Sequence, residues 1–340
     1  MDYFPKDQLI PVKTLLSSPQ HIVITTHYKP DGDAMGSSLA MYNYLQSKGH
    51  RVDVVVPGDY PDFLAWLPGN DIVINFERET DRATSILNAA DLTFCLDFSQ
   101  SKRVEKMEDV LLNASSTKIL IDHHTFPGNF CEHNFVYTSA CATAELIYYF
   151  IEALGEFDLI SKETATCIYT GIMTDTNSFR ISSMKASTHR VIAAMMEAGA
   201  VNYQIHESIY DTSTENRLRL MGYSLYEKLR VVEGLNTCIL SLSEEELARF
   251  SHQAGDTEGL VNYGLSIDGV KLSAFFYEQG DIVKLSLRSK GVFSAQEIAY
   301  KFFDGGGHLN AAGGNSTLTL AETITKFENI LPIYKDELNA

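Results

Sequence analysis

The chain has 340 residues, of which 45% are hydrophobic and 21% are charged. This length and composition fit roughly two globular domains and exclude a disordered or fibrous protein. The formal net charge of −17 disfavours a large interface with a nucleic acid backbone, although bound cations can still attract a small anionic substrate.

The cysteines and the hydropathy pattern indicate the cellular environment of the protein. Five scattered cysteines without a CxxC pair indicate reduced thiols rather than a disulfide scaffold or a thiolate metal site. No apolar run approaches the roughly 18 uncharged residues of a membrane span, and the amino terminus lacks the pattern of a secretory signal. We therefore expect a soluble, cytoplasmic protein.

Short apolar segments alternate with helical segments in the first part of the chain. The apolar segments, which predict strands, are residues 21–26, 51–56, 71–76, 92–98 and 118–122. Helical patterns lie between most of them, notably at 34–47 and 82–90. Strands that are apolar on both faces and separated by helices are typical of a parallel sheet with both faces covered.

The pattern becomes helical after residue 138 and changes again beyond about residue 230. Three strand-like segments follow, at 236–242, 269–278 and 281–289. The last two predict a hairpin across Gln279 and Gly280, and a glycine-rich stretch then precedes a final helix from about Leu320.

These patterns predict an α/β protein with two domains. A parallel-sheet domain with helices on both faces is expected at residues 1–210. A helical linker, residues 211–229, then leads to a smaller α+β domain at residues 230–340.

Acidic and imidazole side chains follow several strands of the first predicted domain. They are His27, Asp31 and Asp33 after the first strand, Asp97 at the end of the fourth, and Asp122, His123 and His124 at the end of the fifth. Because the carboxyl ends of parallel strands share one edge of the sheet, we expect these side chains to converge. Asp175 adds a carboxylate where an apolar helical run ends.

Each of these residues alone also fits an ordinary structural role. Asp31 and Asp33 suit a turn and a helix cap, and Asp97 suits a buried hydrogen-bonding position. Together they favour a metal site, because many carboxylates in one place are costly without a cation. Oxygen-rich ligands with one or two histidines suit Mn²⁺ or Mg²⁺. The pair Lys102 and Arg103, by contrast, is expected to be a solvated helix start.

The same residues resemble, in order and spacing, the four signature motifs of the DHH phosphoesterases. The matching segments are His27-xxx-Asp31-x-Asp33-xxx-Ser37, Asp97, Asp122-His123-His124 and Thr174-Asp175-Thr176. The segment Gly305 to Gly313, preceded by Leu287-Arg288-Ser289, is similar to the DHHA1 domain that accompanies them. The resemblance covers the whole chain and is closest to the nanoRNase and pAp phosphatase branch, which is also described as exopolyphosphatase-related.

Two positions depart from the pattern of this family. Asp304 stands where another glycine is often found, and Asn177 stands where glycine is common after Thr174-Asp175-Thr176. Neither is an expected metal ligand.

The resemblance implies two divalent metal ions, with Mn²⁺ expected and Mg²⁺ or Co²⁺ as alternatives. Their ligands would be His27, Asp31 and Asp97 for one ion, and Asp33, Asp97, His123 and Asp175 for the other. The implied catalytic residues are Asp97, which bridges the ions, Asp122, which orients its neighbours, and His124, which faces the scissile phosphate.

The resemblance also implies where substrate binds. The expected residues are Arg288, Ser289, Gly305, Gly306, Gly307 and His308. A glycine-rich loop can expose backbone N–H groups to an anion, and the guanidinium of Arg288 can bind a phosphate or stack on a base. Three glycines alone are also typical of a plain turn. A loop facing the metal site from another domain would restrict the substrate to a short one.

The expected function is therefore a Mn²⁺-dependent phosphoesterase. It would hydrolyse short oligoribonucleotides, including dinucleotides such as pApA, to 5′-mononucleotides, or pAp to AMP and phosphate. Long duplexes and membranes are not expected partners, and packing among the middle helices would allow a homodimer. The alternatives are an exopolyphosphatase or pyrophosphatase on the same metals, a RecJ-like single-strand exonuclease, and a non-catalytic nucleotide sensor.

Overall fold

A computed structural model describes residues 3–181, 184–253 and 255–340 of the chain. The backbone divides into two compact units, Met1–Thr212 and Ser213–Ala340. Each helix within the described ranges is too short or too polar to cross a bilayer.

The first unit contains a six-stranded sheet in which every pairing is parallel. Its strands are β1 (His21–Thr25), β2 (Arg51–Val56), β3 (Val73–Asn75), β4 (Leu92–Leu96), β5 (Thr117–Asp122) and β6 (His133–Val136). Their spatial order is β3-β2-β1-β4-β5-β6. The order reverses between β1 and β4, and such reversal points are where open parallel sheets bind ligands.

Eight α-helices accompany this sheet in the described part of the unit. They are α1 (Lys6–Leu15), α2 (Gly32–Ser47), α3 (Thr80–Ala89), α4 (Glu108–Asn113), α5 (Thr143–Leu154), α6 (Lys162–Asp175), α7 (Ala186–Glu197) and α8 (Asn202–Tyr210). Successive side chains of β1 pack into the hydrophobic cores on opposite faces of the sheet. Val23 belongs to the core with α3 and α4. Ile22 and Ile24 belong to the core with α1, α2, α5 and α6. The predicted sheet with helices on both faces is confirmed.

Local differences from the predicted elements have simple causes. The helix predicted from Ala34 begins at Gly32, because the carboxylate of Asp31 caps it. The strand predicted at 71–76 is shortened to β3 by a 3₁₀ turn at Asn70–Ile72. The short strand β6 was not predicted, because its only fully buried side chain is Phe135.

The second unit contains a second six-stranded sheet, of mixed direction. Its strands are β7 (Arg230–Val232), β8 (Thr237–Leu242), β9 (Leu272–Gln279), β10 (Ile282–Ser289), β11 (Gly306–His308) and β12 (Ala311–Ser316). The spatial order is β11-β12-β10-β9-β8-β7, and only β8 and β9 are parallel neighbours. The predicted hairpin is confirmed, with Gly280 at φ 58° in its turn.

Six α-helices are described in this unit. They are α9 (Glu215–Tyr223), α10 (Glu244–Arg249), α11 (Leu260–Gly264), α12 (Ala295–Phe302), α13 (Leu320–Ile330) and α14 (Lys335–Asn339). A π-helical turn, Ser224–Lys228, continues α9. The smaller α+β character predicted for this part of the chain is confirmed.

The glycine-rich stretch is not the open loop expected from the sequence. Gly306 pairs with Gly313 and His308 pairs with Ala311, so the stretch forms the hairpin of β11 and β12. A Cβ atom at Gly305 would clash with the backbone of Gly313. The glycines therefore allow a close approach of two backbones, and pairing uses part of the N–H groups that a loop would have left free.

Candidate active site at the carboxyl edge of the parallel sheet

The predicted acidic and imidazole residues of the first unit lie together beyond the ends of β1, β4 and β5. Three overlapping groups have ligand atoms within 4.8 Å of one another. The groups are His27, Asp31 and Asp97; Asp33, His123 and Asp175; and Asp97, His123 and His124. Residues from four separate segments thus share one site, and Asp97 and His123 each belong to two of its groups.

His27 follows β1 and is held in one tautomer. Its Nδ1 atom lies 2.9 Å from the carbonyl oxygen of Tyr28, which can only accept, so Nδ1 carries the proton. The unprotonated Nε2 atom lies 3.6 Å from Oδ2 of Asp97 and 3.9 Å from Oδ2 of Asp31. Burial is the main cause that lowers the pKa of His27, and a neutral imidazole is the form that binds metals.

The two aspartates of the first loop have different environments. Oδ1 of Asp31 accepts hydrogen bonds from the N–H groups of Asp33 and Ala34 and caps α2, while its side chain is 62% exposed. The side chain of Asp33 is 1% exposed. Its two oxygens accept the N–H groups of Thr143 and Ala144, the first two residues of α5. Asp31 therefore caps a helix and Asp33 accepts buried hydrogen bonds, and both also belong to groups of possible metal ligands.

Asp97 directly follows β4 and has an unusual backbone conformation. Its φ of 65° lies in the left-handed region, which few non-glycine residues adopt and which is common at functional sites. Its carboxylate is buried. One oxygen, Oδ1, lies 3.5 Å from Nε2 of His123, and the other, Oδ2, faces His27. The carboxylate therefore lies between two of the ligand groups.

Asp122 and His124 form a hydrogen-bonded pair at the end of β5. Nδ1 of His124 donates to Oδ1 of Asp122 at 2.8 Å, and the Asp122 side chain is fully buried. Burial alone would lower the pKa of His124, but the hydrogen bond and charge of Asp122 outweigh it, so the pKa is raised. His124 therefore keeps its proton more readily than an ordinary histidine.

Close helix packing brings Asp33 and Asp175 to the same site. A Cβ atom at Gly36 of α2 would lie 2.7 Å from the carbonyl oxygen of Cys167 in α6. One at Gly171 of α6 would lie 2.5 Å from Cβ of Ala144 and 2.9 Å from Oδ1 of Asp33. The backbones of the three helices can approach this closely only because these positions carry no side chain.

The clustered carboxylates oppose each other's ionisation. Burial first, and the charge of Asp31 second, raise the pKa of Asp33 to about 7. Burial and the charge of Asp33 likewise raise the pKa values of Asp97 and Asp175. A bound cation would reverse this effect, because it stabilises the ionised carboxylates.

The chemistry of these donors fits a hard divalent cation. They are carboxylate oxygens and imidazole nitrogens only, and the nearest cysteine in sequence, Cys95, is buried on β4 with its pKa raised by burial. Oxygen and nitrogen ligands without thiolate suit Mn²⁺ and Mg²⁺ rather than structural zinc. The site can therefore hold metal ions.

Arg103 is a neighbour of the site that the sequence analysis missed. It was interpreted as a solvated helix start, and it does lie in the 3₁₀ turn Ser101–Met107. Its carbonyl oxygen, however, accepts the N–H of Tyr28 at 2.7 Å, which ties this turn to the loop of His27. Its charge adds to the burial that lowers the pKa of His27 and also opposes protonation of His124. The exposed guanidinium thus lies within electrostatic reach of both histidines.

The expected substrate residues of the second unit lie on β10 to β12. Arg288 and His308 are each paired with Ala311, so both project from the same face of the sheet. Ser289 projects from the opposite face, where its hydroxyl donates to the carbonyl of Phe293 and accepts from Asn310. Alternation along β10 places the side chains of these two neighbours, Arg288 and Ser289, on opposite faces of the sheet.

Comparisons with known proteins agree with this geometry. Residues 21–172 match the N-terminal domain of the DHH family, and residues 239–338 match the DHHA1 domain. The chain is 32% identical over 337 residues to the bifunctional oligoribonuclease and PAP phosphatase NrnA of Thermus thermophilus, an alignment that covers 99% of this chain and 95% of the relative. The chain belongs to the DHH family.

Further relatives of this DHH protein cover most of its length. The bifunctional oligoribonuclease and PAP phosphatase NrnA of Bacillus subtilis is 24% identical over 295 residues, which are 86% of this chain and 88% of the relative. The crystal structure of an exopolyphosphatase-related protein from Bacteroides fragilis is 39% identical, with a TM-score of 0.96 and 98% of both chains covered.

The two departures from the DHH and DHHA1 motifs have a common structural explanation. Asn177 has φ 47° and Asp304 has φ 45°, so both lie in the left-handed region that favours glycine. Asparagine and aspartate are the residues that tolerate this region best after glycine. The substitutions therefore preserve the backbone that the motifs require.

Proposed function

We propose that this DHH protein is a Mn²⁺-dependent phosphoesterase of short oligoribonucleotides and pAp. It hydrolyses dinucleotides such as pApA to 5′-mononucleotides, and pAp to AMP and phosphate. The observation that carries the proposal is the sharing of Asp97 between ligand groups at the carboxyl edge of the sheet. The names of the Thermus and Bacillus relatives support this choice of substrates.

The metal ligands divide into two sets in this proposal. His27, Asp31 and Asp97 bind one ion. Asp33, Asp97, His123 and Asp175 bind the other, and Asp97 serves both. The distances of 3.5 to 3.9 Å between facing ligand atoms support this division, because they leave room for a cation between opposing donors.

Two divalent ions supply charge neutralisation of the phosphoryl group and lower the pKa of a water molecule for attack. The residues of the chain prepare the site for that chemistry. The carbonyl of Tyr28 keeps Nε2 of His27 unprotonated. Asp122 holds His124 with Nδ1 protonated and raises its pKa, so His124 can donate a proton or a hydrogen bond to the leaving oxygen.

The second unit contributes substrate binding. Arg288 supplies a guanidinium and His308 an imidazole on the same face of the sheet, and Gly305, Gly306 and Gly307 directly precede His308. Such a face suits the phosphate or base of a nucleotide. Ser289 is left out of this set, because its hydroxyl is used within the unit.

The proposal is tested with the full-length protein after its metals are removed by a chelator. Phosphate release from pAp and digestion of pApA are measured with Mn²⁺, Mg²⁺, Co²⁺ or no metal, beside inorganic polyphosphate and a long single strand. Turnover of pAp or pApA that requires Mn²⁺ is the expected result. Turnover of polyphosphate alone, or tight nucleotide binding without turnover, would overturn the proposal.

Replacing Arg103 by alanine should weaken substrate binding more than it slows turnover. Its cationic group lies within electrostatic reach of His27 and His124, where it can attract the phosphate of a substrate. We expect KM for pApA to rise about tenfold or more. The neighbouring exposed cation gives a matched control, Lys102→Ala, for which KM should stay near that of the wild type. Equal KM values for the two variants would remove Arg103 from the site.

The stability of the metal-free protein should decrease as pH rises. The pKa of Asp33 is raised from 3.8 to about 7, so the folded chain holds a proton that the unfolded chain has released. Stability is therefore greatest below the unfolded pKa and is lost as pH rises through about 7.

Thermal unfolding from about pH 5 to about pH 8 checks this expectation. We expect Tm of the metal-free protein to fall by several degrees over this range. The increase in Tm on adding Mn²⁺ should grow with pH, because the cation stabilises the ionised carboxylates. Asp33→Asn should show a smaller slope in the absence of metal. An equal dependence of Tm on pH in Asp33→Asn and the metal-free wild type would contradict the expected protonation of Asp33.

A further inference from the structure

The first turn of α5 is joined to the carboxylate of Asp33. Ala142, at the N-cap position of α5, has no side-chain oxygen with which to cap the helix. The N–H group of Thr143 donates to Oδ2 of Asp33 at 2.6 Å, and that of Ala144 donates to Oδ1 at 2.9 Å. A carboxylate from α2, more than a hundred residues earlier in the chain, therefore caps this helix.

The side chain of Thr143 contacts a second carboxylate of the site. Its Oγ1 hydroxyl donates to Oδ1 of Asp97 at 2.8 Å, and both side chains are buried. Threonine is branched at Cβ and therefore has few rotamers in a helix. With its backbone fixed by Asp33, Thr143 presents the hydroxyl to Asp97 from a defined position.

This hydrogen bond determines which way the carboxylate of Asp97 faces. Oδ1, the oxygen bound to Thr143, lies 3.5 Å from Nε2 of His123 and 3.6 Å from Nδ1 of His124. Oδ2 lies 3.6 Å from Nε2 of His27. A quarter-turn about the Cβ–Cγ bond would remove both oxygens from these neighbours and would break the bond to Thr143.

We infer that Thr143 is a positioning residue for the metal centre. It fixes the rotation of the Asp97 carboxylate so that one oxygen serves each ligand group, and it aligns Asp33 through its backbone. The inference rests on the proposed function, because it concerns the same two metal positions.

The segment that carries Thr143 is itself anchored. Glu145 is 2% exposed, and its Oε2 accepts the N–H of Cys141 at 3.0 Å. Its Oε1 accepts the hydroxyl of Thr188 in α7 at 2.9 Å. The turn before α5 is therefore tied to α7, and Thr143 cannot easily follow Asp97 if the carboxylate moves.

The inference is tested with Thr143→Val, which removes the hydroxyl and keeps the branched shape, and Thr143→Ser, which keeps the hydroxyl. Thr93→Val is the matched control, because Thr93 is equally buried on β4, the strand that Asp97 follows, but bonds to Ser116. Calorimetric titration of the metal-free proteins with Mn²⁺ gives the affinity and number of bound ions. The kcat and KM for pApA are measured separately, and Tm reports folding.

We expect Thr143→Val to weaken at least one Mn²⁺ site by about 10- to 100-fold and to lower kcat with little change in KM. Thr143→Ser and Thr93→Val should bind Mn²⁺ like the wild type. If Thr143→Val folds poorly, Thr143→Ala, which places no methyl group against the carboxylate, gives the same comparison with serine.

The possible failures are distinguishable. A hydroxyl-free variant that binds both ions and turns over like the wild type overturns the inference alone. Equal losses in Thr143→Val and Thr143→Ser also overturn it, because contacts other than the hydroxyl would then be responsible. A wild type that binds no Mn²⁺ and hydrolyses neither pAp nor pApA instead overturns the proposed function.

Discussion

Asp97→Asn should abolish hydrolysis of pApA and pAp while leaving the protein folded. Asparagine has the same shape, and its side-chain oxygen can still accept the hydrogen bond of Thr143. It removes the negative charge that the proposed ligand sets share. We expect kcat to fall by at least about a thousandfold, as for other residues at the centre of a catalytic site.

The same substitution should not lower the stability of the metal-free protein. Burial and the charges of Asp33 and Asp31 raise the pKa of Asp97, so its ionised form is unfavourable without a cation. Replacing such a group by a neutral one commonly preserves or increases stability. Tm of the metal-free variant should therefore equal or exceed that of the wild type, while the increase in Tm on adding Mn²⁺ becomes smaller.

Asp91→Asn is the matched control for this experiment. Asp91 precedes β4, at the opposite end of the strand from Asp97, and accepts the N–H of His21 through an exposed carboxylate. It should retain nearly full activity. Normal Mn²⁺-dependent activity in Asp97→Asn would rule out the site, whatever the result for Asp91.

Gly171→Ala should damage both activity and stability, although alanine favours helices. The added Cβ atom would lie 2.5 Å from Cβ of Ala144 and 2.9 Å from Oδ1 of Asp33. Either α5 and α6 separate or Asp33 is displaced from its position between them. We expect a loss of about 1–3 kcal/mol in the free energy of unfolding from overpacking. The displacement of a ligand should also lower kcat/KM about a hundredfold.

Gly222→Ala separates this effect from helix propensity. Gly222 lies in α9, and no atom lies within 4 Å of the position its Cβ would take, apart from neighbours in the chain and its own helix. Alanine there should keep full activity and increase the free energy of unfolding by up to about 1 kcal/mol. Chemical denaturation and steady-state kinetics on both variants are sufficient. Wild-type behaviour of Gly171→Ala would show that the two helices are not packed as closely as described.

The parallel sheet and its polar edge could be predicted because the signals are local. The strand predicted at 51–56 is β2, and the segment 118–122 differs from β5 by a single residue. The predicted ligands lie in the segments that follow strands or at the ends of helices, so the architecture brings them to the shared edge. Asp175 could be predicted in the same way, because an apolar helical run, now α6, ends at this residue.

The hairpin of β11 and β12 shows where local patterns are insufficient. Its glycines are the residues that any open loop would contain, and they lack the alternation that marks a strand. The glycines form strands only because β12 pairs with β10 and β11 pairs with β12, at the edge of the sheet.

The sequence by itself determined the types of the proposed ligands, their order and the edge of the sheet at which they meet, because strand periodicity and motif spacing depend on neighbouring residues. Only the tertiary structure decided how those ligands are held. The bonds from Thr143 to Asp33 and Asp97 join residues 110 and 46 positions apart. The approach of Arg103 to the His27 loop likewise depends on a backbone contact between distant segments. Such contacts arise from packing and leave no periodic signal along the chain.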